Sequence, residues 1–163
     1  MFSYSVSAQA PSPIDRIRQA VHKINTDTGY TVKTLDQGKF LADEVSPDNG
    51  AELAGYFKNS RLVKMVERIG LSSCTDVTEF YVLDGELIFT YTAGSVFPYI
   101  DSLQRFDFTK PDKTMECRFY FDKGRMFRSI LKGSTRCGGE PTDELAAIYL
   151  KEYAKYKILF ARK

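Results

Sequence analysis

The chain has no tryptophan, a single histidine and only three cysteines among its 163 residues. A zinc site therefore lacks ligands, and any Ser–His or Cys–His mechanism depends on His22. His22 lies beside the apolar stripe of a predicted helix, where a solvated side chain is the simpler interpretation. The sequence also has no P-loop, no dinucleotide-type glycine fingerprint and no nucleophile-elbow motif. It therefore predicts neither a metal site nor a cofactor.

Long apolar runs and blocks of one charge are also absent. No segment approaches the roughly 18 consecutive apolar residues that mark a membrane-spanning helix, and no block of about five or more Lys or Arg occurs. The formal net charge is +2, which is close to neutral. We therefore expect no nucleic-acid partner and no transmembrane segment. A protein or a small polar ligand stays open as the partner, and so does the oligomeric state.

Aromatic residues, in contrast, are numerous: the chain has 12 phenylalanines and 10 tyrosines. Such rings favour strands, because they suit a pleated, half-buried surface. A chain of 163 residues has the length of one domain and can bury a core without a metal. We therefore expect a single globular domain over residues 13–163.

Residues 1–10 are small, mildly apolar and uncharged. They contain two small-x-small sites of the kind that signal peptidase cleaves, which end at Ala8 and Ala10. A basic start and a longer apolar segment are missing, so we interpret residues 1–10 as the remnant of a signal peptide. This interpretation predicts a periplasmic or secreted location. The alternative is the polar terminus of a cytoplasmic protein.

The cysteines lie in two kinds of surroundings. Cys74 and Cys137 lie in turn-rich segments, whereas Cys117 lies in a strand-like run and is expected to be a buried apolar residue. We predict a disulfide between Cys74 and Cys137, which in the chain-entropy model stabilises a protein by roughly 4 kcal/mol. Three free thiols in a cytosolic protein are the alternative.

The sequence predicts one helix near each end of the domain. The first covers residues 13–25, follows a capping Ser12, and has an apolar stripe of Ile14, Ile17, Val21 and Ile24. The second opens at Pro141, with Thr142 as its cap. Its apolar stripe consists of Leu145, Ile148, Tyr149, Tyr153 and Tyr156.

Between the helices, one pattern occurs three times: aromatic residues, a short turn, a charged residue and two apolar residues. The turns are Asn59–Ser60, Asp84–Gly85 and Lys123–Gly124. A two-residue turn between apolar runs indicates a β-hairpin, most strongly where it reads Asp-Gly. A weaker fourth copy covers residues 34–41. The pattern predicts an α+β fold: an antiparallel β-meander of about six to eight strands with both helices packed on it.

Strand alternation assigns the side chains to two faces. The first face, expected to be the core, carries Phe57, Phe80, Val82, Leu87, Phe89, Phe119 and Phe121. The second face, which we call the tyrosine face, carries Tyr56, Tyr81 and Tyr120, with Glu79 and Arg118 as a charged pair beside them.

These hairpins resemble a family of exported bacterial proteins of uncharacterised function that repeat an aromatic–turn–aliphatic hairpin after an N-terminal helix. The resemblance covers residues 13–131 and is carried by the segments 56–64, 79–89 and 118–125. It implies export and a hairpin-rich fold. It implies no catalytic residue.

The tyrosine face is the predicted site for a ligand or partner, because Tyr and Arg combine apolar area with polar groups and often dominate interface energies. We therefore favour a non-enzymatic binding or interaction module of the bacterial envelope. If a helix covers this face instead, the tyrosines form a second core layer. A different alternative is a small hydrolase-like enzyme that uses Glu79 and Glu116 as a carboxylate pair in a cupped sheet.

Overall fold

The computed structural model describes residues 10–41, 47–135 and 137–162. The predicted remnant of a signal peptide lies outside this range, except for Ala10. In the described ranges the α-helices are α1 (Pro13–Thr26), α2 (Gln37–Phe40) and α3 (Leu145–Ala161), and a short 3-10 helix covers Asp101–Leu103. No helix in this part of the chain has the length and apolar character needed to cross a membrane.

The strands follow one another along the chain with few interruptions. They are β1 (Thr31–Asp36), β2 (Ala51–Lys58), β3 (Arg61–Gly70), β4 (Cys74–Leu83), β5 (Glu86–Val96), β6 (Tyr99–Ile100), β7 (Arg105–Phe106), β8 (Asp112–Asp122) and β9 (Arg125–Gly133). Seven of them form one antiparallel sheet in the order β1-β2-β3-β4-β5-β8-β9. The short strands β6 and β7 pair only with each other, in an excursion between β5 and β8. The predicted α+β meander is therefore confirmed.

The three predicted turns join β2 to β3, β4 to β5 and β8 to β9. Both central residues of each turn have positive φ, between 48° and 80°. Turns of this kind match the right-handed twist of the two strands that they join. The predicted fourth copy is wrong, because residues 34–41 contain the end of β1 and then α2. That helical turn places the buried Phe40 ring against Tyr156 of α3.

A β-bulge follows each of these turns, and the bulge in β5 places Phe89 on the face opposite to the predicted one. The bulged residues, which have no partner in the strand register, are Val63, Ile88 and Phe127. Leu87 pairs with Val82 as expected, but the bulge takes up one residue, so that Phe89 pairs with Tyr81. One extra residue reverses the direction of the next side chain. Phe89 therefore belongs to the tyrosine face.

The first face of the sheet is the core and is covered by α3. Most of its predicted members are almost fully buried, with Phe80 and Phe119 at 0%, Phe121 at 1% and Val82 at 2% exposure, whereas Phe57 is only partly buried. The helix contributes Ala146, Tyr149, Tyr153, Tyr156 and Phe160. Three of its tyrosine hydroxyls reach the sheet or its turns: Tyr149 accepts a hydrogen bond from Thr92 (2.8 Å), Tyr153 donates to the carbonyl of Gly85 (2.5 Å), and Tyr156 donates to the carboxylate of Glu67.

Two predictions for this helix are wrong in detail. It begins at Leu145 rather than after Thr142, because the amides of Leu145 and Ala146 donate to carbonyls three residues earlier. The Asp143 carboxylate accepts a hydrogen bond from Ser129 (2.6 Å), which holds this opening turn against β9. Ile148 is exposed, because the face that packs on the sheet is set by the tyrosines and Phe160.

The first helix is confirmed, and it packs on the tyrosine face. The Ser12 side chain accepts a hydrogen bond from the amide of Asp15 (3.2 Å), as an N-cap does. Ile17 is buried against Tyr81, Phe89 and Tyr120. The alternative in which a helix makes these tyrosines a second core layer is thus the observed one for Tyr81 and Tyr120.

Cys74 and Cys137 form a disulfide, with their Cα atoms 6.4 Å apart, and Cys117 is a buried free thiol. The bond ties the segment that leads to α3 to the start of β4. We expect replacement of both bonded cysteines by serine to lower the free energy of unfolding by about 4 kcal/mol, because the cross-link restricts the unfolded chain. A urea melt measures this change. Dithiothreitol should lower the wild-type midpoint similarly and leave the variant unchanged; an unchanged wild-type midpoint contradicts the prediction.

Candidate functional site

The strand register arranges the side chains of the tyrosine face in three rows that cross the sheet. The first row is Tyr56, Lys64, Tyr81, Phe89, Tyr120 and Arg128. The second row is Ala54, Val66, Glu79, Tyr91, Arg118 and Ile130. The third row is Glu52, Arg68, Val77, Ala93, Glu116 and Lys132.

Helix α1 packs on the first row and leaves an opening beside it. Tyr81 is 1% and Tyr120 is 4% exposed beneath the helix. Between one side of α1 and the second row lies a cleft of about 700 Å³, which we call the α1 cleft. The helix contributes Ile17, Arg18, Val21, His22 and Asn25 to it; the sheet contributes Glu79, Tyr81, Phe89, Tyr91, Arg118, Tyr120, Ile130 and Lys132.

Four of the five predicted site residues line this cleft. Glu79 and Arg118 lie at its side, whereas Tyr81 and Tyr120 form part of its floor beneath α1. Tyr56 does not reach the cleft. It lies two strands from Tyr81 in the first row, and its ring packs against that of Tyr30, with centroids 6.2 Å apart.

A hydrogen-bond network joins α1 to the floor of the cleft. The Tyr81 hydroxyl bonds to the Glu79 carboxylate and to Oδ1 of Asn25 on α1 (3.0 Å). Lys64 donates to the same hydroxyl (3.1 Å) and forms an ion pair with Glu79 (3.1 Å). Burial, followed by the hydrogen bond to Glu79, raises the pKa of Tyr81, so that its hydroxyl stays neutral.

A second network surrounds Arg118. Its guanidinium lies over the ring of Tyr91, 5.1 Å from the centroid, and 3.5 Å from Glu116. Glu116 also accepts hydrogen bonds from Lys113 (2.8 Å) and from Tyr91 (2.5 Å). These contacts, with Lys113 first, lower the pKa of Glu116 to about 2. The predicted pair of Glu79 and Arg118 does not form, because Tyr91 stands between them in the second row.

The predicted carboxylate pair is also separated in the sheet. Glu79 lies on β4 and Glu116 on β8, with β5 between these strands, so they are not on neighbouring strands. Each carboxylate has its own lysine partner. Glu116 is ionised at neutral pH and therefore has no proton to donate to a leaving group.

Sequence reasoning missed a group of acids on the opposite face, beneath α3. Glu67 occupies a core-facing position in β3 two residues after Met65, and Glu152 lies between the buried Tyr149 and Tyr153 of α3. The sequence signal for these two residues was an acid at a position that the apolar pattern of its strand or helix assigns to the core. In the described part of the chain, no group of His, Cys, Asp and Glu is arranged to hold a metal ion.

The α1 cleft therefore combines an apolar floor with polar and charged side chains at its opening, as ligand-binding pockets do. His22 lines it from the exposed side of α1. No family model, curated protein or solved structure matches the chain, so these residues are the basis for inferring its function.

Proposed function

We propose that the protein is a non-enzymatic binding module whose α1 cleft holds a small amphipathic molecule with an anionic group. The observation that carries this proposal is the pairing, in one cleft, of an apolar floor and a cationic rim. The proposed site is therefore smaller than the whole tyrosine face, because it includes only the part that α1 leaves open.

The floor supplies the apolar half of the site. Ile17 of α1 packs with Phe89 and Tyr120 of the sheet in one buried cluster, and Val21 and Ile130 pack against that cluster; all five side chains line the cleft. A volume of about 700 Å³ falls within the usual range for small-molecule pockets. Burial of an aromatic or acyl group against these side chains removes apolar surface from water, which is the main favourable contribution to such binding.

The rim supplies the charge. Arg18, Arg118 and Lys132 line the cleft, and Glu79 is the acid among its described lining residues. Glu79 is paired with Lys64, Arg18 with Asp15 (3.9 Å) and Arg118 with Glu116 (3.5 Å). Lys132 forms no ion pair among the described residues, so the excess charge around the opening is positive. Arg118 is oriented by the Tyr91 ring beneath it and has Nη2 3.5 Å from Glu116, so its remaining donors are the ones able to bind a carboxylate, sulfonate or phosphate.

A location in the bacterial envelope is part of this proposal. The Cys74–Cys137 disulfide supports it, since disulfides persist in oxidising compartments such as the periplasm. The resemblance to exported proteins with repeated hairpins supports the same location. The hydrolase-like alternative has weaker support, because Glu79 and Glu116 lie two strands apart and Glu116 has no proton to give.

Two fluorescent probes test the proposal. Anilinonaphthalene sulfonate is an aromatic anion, and N-phenylnaphthylamine is nearly the same molecule without the sulfonate. We expect the sulfonate probe to bind the folded protein saturably and more tightly than the neutral probe. The double variant Arg18→Gln, Lys132→Gln should weaken sulfonate binding by roughly tenfold, the factor that corresponds to about 1.4 kcal/mol. Binding of the neutral probe should stay unchanged.

The matched control removes a lysine that lies outside the α1 cleft. Lys151 is exposed on α3, which packs on the opposite face of the sheet, so Lys151→Gln should leave both probes unaffected. Thermal melts of each variant exclude unfolding as the source of a fluorescence change. Equal affinity for the two probes, or sulfonate binding that the double variant does not weaken, contradicts the proposed anion site.

A further inference from the structure

A cavity of about 310 Å³ lies between α3 and the sheet, on the face opposite the α1 cleft. Four carboxyl groups line it: Glu67 from β3, Asp76 from β4, Glu140 from the segment that leads to α3, and Glu152 from α3 itself. None of the described residues that line it is Lys, Arg or His. The fold thus brings acids from separate elements together, and no cation lies among the described residues that line the cavity.

The hydrogen bonds of this cavity leave the acids incompletely satisfied. Glu67 is only 5% exposed, and its carboxyl accepts a hydrogen bond from the Tyr156 hydroxyl. Oε2 of Glu152 and Oδ1 of Asp76 are buried without a hydrogen-bond partner within the described chain. No ion pair among the described residues includes Glu67, Asp76 or Glu152.

Among the described residues, one cation, Lys155, acts on the cavity from outside. Lys155 lies one turn after Glu152 on α3, and its charge favours ionisation of both Glu67 and Glu152. Its ammonium, however, donates to the carbonyl of Phe40 and forms no ion pair with either acid. Lys155 is therefore an incomplete counter-charge for two buried carboxylates.

The other described titratable groups near the cavity, Tyr149, Cys117 and Asp76, do not supply a positive charge. Tyr149 of α3 accepts a hydrogen bond from Thr92, and burial raises its pKa. Burial raises the pKa of Cys117 on β8 to about 11, so it is a neutral thiol. Burial also raises the pKa of Asp76. Full ionisation of the cavity therefore places negative charges together in a medium that solvates them poorly.

We propose that α3 is a pH-dependent clamp, docked on the sheet while Glu67 and Glu152 hold at least one proton and loosened when both ionise. Glu152 belongs to the helix and Glu67 to the sheet, so their repulsion acts directly across the docking surface. The Cys74–Cys137 bond keeps the segment before α3 attached to β4 while the helix loosens. This pH-dependent docking takes place on the face opposite the α1 cleft, and it does not depend on the ligand proposed for that cleft.

The direction of the pH effect follows from proton linkage. Burial first, and the Glu67 charge second, raise the pKa of Glu152 from 4.5 to about 8; burial is also the main cause that raises the pKa of Glu67. Between pH 4.5 and about pH 8, Glu152 in the folded state retains a proton that it has released in the unfolded chain. The docking of α3 should therefore be strongest below the unfolded value and weaken as the pH rises towards about 8.

Hydrogen exchange followed by mass spectrometry tests the clamp on the full chain. Amide protection in α3, corrected for the intrinsic pH dependence of exchange, should be at least roughly tenfold lower at about pH 9 than at about pH 5. Protection in the central strands β4 and β5 should change much less. The variant Glu152→Gln, which is neutral at every pH, should show little dependence of α3 protection on pH.

The matched control changes a carboxylate that lies outside the cavity. Glu52→Gln removes an exposed carboxylate from the tyrosine face and should retain the wild-type pH dependence. Carboxyl-carbon NMR of the wild-type protein should show at least one glutamate that titrates with a midpoint above about 6. Unchanged α3 protection between the two pH values, or only normal glutamate midpoints, overturns the clamp even if Glu152→Gln does not fold.

Discussion

Replacement of Tyr81 and Tyr120 together by serine is expected to unfold the protein. Both rings are buried beneath α1, where they pack against Phe89 and Ile17. Truncation of one buried aromatic side chain costs about 3–5 kcal/mol, and a whole domain is stable by only about 5–15 kcal/mol. Since the two sites share neighbours, their losses need not add, but a combined loss above about 5 kcal/mol is expected.

Far-UV circular dichroism and urea melts measure this outcome. Tyr99→Ser is the control, because Tyr99 is 48% exposed in the β6–β7 excursion, and it should change stability by less than about 1 kcal/mol. Tyr120→Phe keeps the ring and should retain the fold. A double variant that folds with nearly wild-type stability would show that α1 does not cover this part of the tyrosine face.

Truncation of Phe119 to alanine is expected to lower the free energy of unfolding by about 3–5 kcal/mol. Phe119 is fully buried in the middle of β8, and its ring packs edge-on against Tyr149 of α3, with centroids 5.6 Å apart. The cavity left behind lies between a strand and a helix that are both held by other contacts, so it is expected to close only in part.

Phe127→Ala is the matched control for this experiment. Phe127 lies on the neighbouring strand β9 at a bulge and is 43% exposed, so its truncation should cost less than about 1 kcal/mol. Denaturant melts of the two variants give the difference in midpoint. A Phe119→Ala loss no larger than that of the control contradicts the placement of this ring in the core.

Local sequence signals predicted the elements well where one short-range preference controlled the backbone. The turn at Asp84–Gly85 needs positive φ and lies between two apolar runs, and both features can be recognised along the chain. The stripe and cap of α1 are similarly local. The bulge at Ile88 was not predictable from alternation, because it depends on how β5 pairs with β4.

The candidate site was predicted in part. Glu79, Tyr81, Arg118 and Tyr120 share a face because strand side chains alternate, and the structure brings all four to the α1 cleft. Tyr56 was included by the same alternation, but its strand lies too far across the sheet. The role of Tyr91 between Glu79 and Arg118 was missed, because it follows from the order of the strands.

The sequence alone determined the antiparallel hairpins, the two main helices and most of the Phe-rich core. These features follow from turn chemistry and periodicity, which act over a few residues. The Cys74–Cys137 bond was one of two alternatives that the sequence left open, and the tertiary structure decided it by placing the two Cα atoms 6.4 Å apart. Only the tertiary structure decided that α1 covers one row of the tyrosine face and leaves the cleft beside it. It also decided that Glu67 and Glu152 line the same cavity, although they are 85 positions apart in the chain. Both outcomes depend on where a helix docks, because docking is set by the packing of whole faces rather than by any local pattern.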